Sequence, residues 1–143
     1  MRAIGFSFDK INVEKLSDKV ENLKINTKIN VSEIKNIKSD FFKTKEEIIE
    51  VKFNYFVNYD PNFAKIELTG SIILAMESKI VKDVLKQWKD KKMSEDFRII
   101  LFNLILRKSS LRALQLEDEM NLPPHISLPV LKKQEDEEKK QEN

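Results

Sequence analysis

Acid–base chemistry near neutral pH would have to run through His125, the only histidine in a sequence that holds no cysteine. A serine or cysteine hydrolase needs a base oriented by a carboxylate, next to a glycine-rich elbow or an oxyanion loop. His125 instead sits between Pro124 and Ile126 with no such motif around it, and reads as structural or exposed. The absence of cysteine removes a thiolate metal site, a thiol nucleophile and a disulfide framework, and is compatible with a reducing compartment. A phosphate cradle needs clustered glycines, but Gly5 and Gly70 stand alone. Gly70 is expected to mark a bend or a close packing contact. The expectation is a protein that is not an enzyme, with no catalytic residue, no metal and no cofactor.

Carboxylates do occur together, at Glu46–Glu47 and at Glu117–Asp118–Glu119, in charged stretches that read as solvated surface. Asn30-Val31-Ser32 matches a glycosylation sequon, a triplet common by chance. Phe53 and Tyr55, with lysines nearby, suggest a stacking platform for RNA. They share their face with Ile49, Val51 and Val57, which marks it as core-facing. An RNA-binding module is an alternative to a protein-binding one.

The residues that position these groups follow two periods. Ile4, Phe6 and Phe8 alternate with Gly5, Ser7 and Asp9, and the parity slips near Asp9–Lys10, which predicts a bulge. Ile25, Thr27, Ile29 and Val31 give a second strand. A third runs Ile49, Val51, Phe53, Tyr55, Val57 and Tyr59, and Asp60-Pro61-Asn62 is strong turn chemistry. The return strand puts Ala64, Ile66, Leu68, Gly70, Ile72, Leu74 and Met76 on one face.

After Glu77 the period becomes helical. Ile80, Val81, Val84, Leu85 and Trp88 predict a short amphipathic helix. Ser94 reads as the N-cap of a longer one, with Glu95 and Asp96 at the positive end of its dipole and no break before about Met120. Phe97, Ile99, Ile100, Leu101, Phe102, Leu104, Ile105 and Leu106 cover nearly its whole circumference. A helix apolar all round must be covered on more than one side, and one sheet with one short helix can scarcely do so. A subunit interface is expected.

The fold class is therefore α+β: a four-stranded antiparallel sheet, a short amphipathic helix and a long apolar one. A single domain is expected over residues 1–131. Prolines 123, 124 and 129 favour an extended end, and Lys132 to Asn143, with four lysines and five acids, forms a charged tail with a composition typical of disorder. The first residues meet a charge too early for a signal peptide, and no apolar run reaches the ~20 residues of a membrane span. A soluble, cytoplasmic protein is expected. Charged residues are 35% of the chain, yet the net charge is only +2, too balanced to argue for nucleic acid by itself.

Strands first, then an amphipathic helix, then a long apolar helix running into Leu122-Pro123-Pro124-His125-Ile126-Ser127-Leu128-Pro129-Val130 resembles the SecB type of protein-export chaperone. The likeness spans roughly residues 1–131. It implies a homo-oligomer, a dimer or a tetramer built as a dimer of dimers, that holds unfolded or precursor polypeptides without ATP and without membrane insertion. Phe97 and Leu101 would form part of a client groove, with Trp88, Leu122 and Ile126 near its ends. Phe41 and Phe42, adjacent aromatics between strands, either contact clients or close the core. Bacterial members are acidic and present that charge to the motor SecA, whereas this chain is slightly basic with a mixed tail. The rival reading is an interaction subunit of the same fold with one dedicated protein partner.

Overall fold

The computed structural model describes residues 1–37 and 46–133. Phe41, Phe42 and the tail from residue 134 lie outside the described residues. The described chain forms β1 (Arg2–Lys15), β2 (Lys24–Ile37), β3 (Glu46–Asp60), β4 (Ala64–Glu77), α1 (Ser78–Trp88) and α2 (Glu95–Glu119). The strands form one antiparallel sheet in the order β1-β4-β3-β2, so β1 and β2 are its edges. The α+β class read from the two periods is the class observed.

Strict alternation in β3 places Ile49, Val51, Phe53, Tyr55, Val57 and Tyr59 on the core side, all essentially buried. Across the central pairing, β4 aligns Tyr55 with Leu68, Phe53 with Gly70 and Val51 with Ile72. The opposite face is polar, and cross-strand ion pairs such as Lys10–Glu67, Lys65–Glu14 and Lys52–Glu33 run over it. The edge strands are interrupted. β1 shifts register between Ala3 and Gly5 and again between Phe8 and Lys10, where the parity slip falls, and β2 shifts between Val31 and Glu33.

Gly70 is a close packing contact. A Cβ there would lie 2.3 Å from the Ser7 carbonyl oxygen and 3.0 Å from the Phe53 ring. Phe53 fills the space a side chain would take and gathers Phe6 and Phe8, at ring-centroid distances of 5.4 and 6.4 Å.

The helices close the core. α1 buries Val81 and Val84 and leaves Ile80 exposed, so its apolar stripe is narrower than the sequence suggests. Ser94 caps α2 by accepting from the Phe97 N–H at 3.3 Å, a contact usually worth about 1 kcal/mol. Phe97, Leu101, Ile105, Ser109, Ala113 and Glu117 are the buried row, spaced by four residues. That row rotates slowly around the helix, because 3.6 residues make a turn. Among the described residues, no helix is long and apolar enough to cross a membrane.

Candidate functional site

Two features stand out: an apolar surface left open beside β1, and a buried polar network under the proline segment. The first follows from α2. With one row turned to the sheet, Ile99 and Ile100 are each 48% exposed, Leu106 37% and Leu111 58%. They fall on two rows at helical spacing. Ile99, Asn103, Leu106 and Ser110 make one, and Ile100, Leu104, Arg107 and Leu111 the other. The second row adjoins a groove of about 230 Å³ between α2 and β1, lined by Ile4, Phe6 and Ile72 from the sheet and by Leu104 and Lys108 from the helix. Ile4 is exposed and falls at the first register shift of β1, where a bulge turns a side chain out of the regular ladder.

The second feature begins at Leu122, which is buried and turns the chain back with its N–H bonded to the Glu117 carbonyl at 2.8 Å. Pro123 then offers its carbonyl to Tyr59 Oη at 2.7 Å. His125 Nδ1 meets Glu117 Oε1 at 2.7 Å, and His125 Nε2 meets Tyr55 Oη at 3.1 Å. Ser110 Oγ extends the chain to Tyr55 at 3.3 Å, and the Tyr59 hydroxyl also reaches Glu117 Oε2. The single phenolic proton of Tyr59 therefore serves either the carboxylate or the Pro123 carbonyl. Burial pushes both phenols above the ordinary tyrosine range, and for Tyr59 the hydrogen bond to Glu117 and then its charge push further the same way.

This network joins a histidine to a carboxylate, but the two side chains are only 1% and 2% exposed. Buried this deeply, the arrangement straps residues 121–125 onto β3 and α2. Glu117 corrects the expectation of a solvated carboxylate cluster: it continues the buried four-residue row of α2, whereas Asp118 and Glu119 are exposed. Extending the spacing of Phe97, Leu101, Ile105 and Ala113 by one step reaches Glu117, and that was the signal available in the sequence. The His125 side chain is buried, not exposed.

Of the residues expected to meet a client, Ile126 is exposed and Trp88 is half-buried, with Lys91 Nζ 4.5 Å from its ring centroid. Phe97, Leu101 and Leu122 pack into the chain's own core, because the first two stand on the sheet-facing row and Leu122 anchors the strap. The structure brings Phe97 and Leu101 together under α2 and leaves Ile126 apart, beyond the strap. The exposed residues Ile4, Ile100 and Leu111 beside the groove lay outside the expected set. A larger open cleft of about 740 Å³ lies where the β1–β2 connection crosses the β3–β4 hairpin, and its charges, Lys19 and Lys24 against Glu21 and Asp60, cancel. Among the described residues, no group of three or more His, Cys, Asp or Glu side chains could hold a metal ion.

No family model matches the chain, and no curated protein matches it. Among solved structures it is similar to the SecB-like chaperone of Mycobacterium tuberculosis in complex with a ChAD peptide from the HigA1 antitoxin, with a TM-score of 0.49 and 9% identity, covering 92% of this chain and 91% of that one.

Proposed function

We propose that this protein is a non-catalytic, ATP-independent chaperone that holds unfolded or pre-export polypeptides on open apolar surface, as a homo-oligomer in the cytoplasm. The observation that carries this reading is the outward apolar surface of α2, where Ile99, Ile100, Leu106 and Leu111 are exposed. Exposed apolar side chains clustered on one helix mark a candidate site of association. Two exposed rows allow two uses: the row of Ile99 and Leu106 packs against another copy, and the row of Ile100, Leu104 and Leu111 faces clients beside β1. Trp88 and Ile126 extend the client surface at its margins. The resemblance of the strand and helix order and of the proline segment to SecB-type chaperones supports the same assignment.

Burying three or four client side chains at about 2 kcal/mol each contributes roughly 6–8 kcal/mol before ordering costs, so one groove binds at micromolar affinity or weaker. Several grooves on one oligomer raise this by avidity. The test is aggregation of a chemically unfolded client at several-fold molar excess of the protein, without nucleotide. Suppressed light scattering is expected. Undiminished aggregation overturns the chaperone reading, and recovery of one stoichiometric partner in a pull-down favours the dedicated-partner rival.

A further inference from the structure

The groove beside β1 is apolar at its floor and positive at its rim. Between Phe97 and Leu116, α2 carries Arg98, Arg107, Lys108 and Arg112 and no acidic residue. Arg112 is bonded to Gln115 Oε1 at 2.9 Å. Arg107 and Lys108 make no ion pair among the described residues and both are exposed, Lys108 lining the groove and Arg107 next to it on the row of Ile100 and Leu104. In the strands, by contrast, five of the eight cations are in ion pairs, as in Lys10–Glu67 and Lys35–Glu50. The stretch of α2 that leaves apolar side chains open therefore carries positive charge and no acid of its own.

The opposite wall is an edge strand. Between its two register shifts, Gly5, Ser7 and their neighbours pair regularly with β4 on one side, while the other side has no strand among the described residues. Such an edge offers backbone donors and acceptors to an added extended segment, and pockets beside it select alternate side chains. The second shift, at Asp9, limits the regular edge to a few residues, and Asp9 is the nearby carboxylate, within 3.4 Å of Ser71 Oγ.

We propose that the groove between β1 and α2 takes an extended polypeptide segment with apolar side chains flanked by carboxylates, its main chain alongside Gly5–Phe8, an apolar side chain over Ile72 between Ile4 and Leu104, and its carboxylates on Arg107 and Lys108. This rests on the reading of the chain as a polypeptide-binding protein and adds the class of segment it prefers. Exposed ion pairs are individually weak, but two of them beside a partly dry groove separate acidic from basic flanks by about tenfold at low salt.

The test uses three fluorescent peptides with one apolar core and acidic, uncharged or basic flanks, titrated with the full chain at about 50 and about 500 mM salt and followed by anisotropy. The acidic peptide is expected to bind about tenfold tighter than the basic one at low salt, with the gap closing at high salt. The paired change Arg107→Glu and Lys108→Glu is expected to reverse the order while the urea midpoint stays in place. Ile4→Asp is expected to weaken all three peptides. Equal binding of all three, unmoved by charge reversal, overturns the selectivity and leaves polypeptide binding intact. Failure of every peptide overturns both. A fourth peptide, residues 126–143, carries the chain's own apolar and acidic run; tighter binding by this peptide than by the acidic one overturns the assignment to a foreign segment and makes the groove a self-docking site.

Discussion

His125 Nδ1 lies 2.7 Å from Glu117 Oε1, and with both side chains almost wholly buried this pair fastens the proline segment to the end of α2. Each partner satisfies a polar atom that would otherwise be buried alone. Removing one partner of a buried pair usually costs about 3–5 kcal/mol, most of it from the group left behind. Glu117→Ala and His125→Ala are each expected to lower the urea unfolding free energy by about that amount. The double variant is expected to lose clearly less than the sum, because the two changes remove one interaction. Simple additivity in equilibrium unfolding would show that the pair does not act as a unit.

Tyr55 and Tyr59 are the two tyrosines of the sequence, and both phenols are held above their ordinary pKa of 10.0, chiefly by burial. In the unfolded chain they ionise near the ordinary value, whereas in the fold they stay protonated. Their contribution is therefore fully present below about pH 10 and is lost as the pH rises above it, at about 1.36 kcal/mol per pH unit for each. The unfolding midpoint is expected to fall steeply above that pH. Tyrosinate absorbance is expected to appear together with loss of circular dichroism, and Tyr59→Phe is expected to make the fall shallower. Tyrosinate formed ahead of unfolding would contradict the burial argument.

Gly70 and Gly5 provide a matched comparison. An alanine Cβ at position 70 meets the Ser7 carbonyl oxygen at 2.3 Å, which is backbone, whereas at position 5 it meets Ile73 Cγ1 at 3.2 Å, part of a side chain able to move. Gly70→Ala is expected to cost about 1–3 kcal/mol by overpacking. Gly5→Ala is expected to cost clearly less, and both are read from urea midpoints.

Ile99 and Leu106 are exposed on one row of α2 and contribute little to the chain's own core. Ile99→Asp with Leu106→Asp is expected to reduce the mass measured by light scattering to that of one chain. The change in folding free energy is expected to stay within about 0.5 kcal/mol per substitution, as for surface positions. An unchanged mass would move the assembly surface elsewhere.

The β3–β4 hairpin shows how far local pattern reaches. Alternation from Ile49 to Tyr59, turn residues at Asp60-Pro61-Asn62 and alternation again from Ala64 specify both strands and their antiparallel pairing, because each signal acts between near neighbours. The bulge at Asp9 and the cap at Ser94 are legible for the same reason. Glu117 and His125 are eight residues apart and both polar, and nothing local says that they meet under Tyr55 and Tyr59, which lie about sixty residues earlier. That depends on which side of α2 the sheet covers.

Composition and period alone determined the residue types available for chemistry, the change from strands to helices, and an α2 too apolar for its neighbours to cover. Tertiary structure alone decided which of its apolar side chains face inward. Phe97 and Leu101 went to the core and Ile100 and Leu111 to the open row, since one rigid helix can turn only part of its surface toward a sheet at a time. The same rotation carried Glu117 inside, and with it the strap that His125 closes.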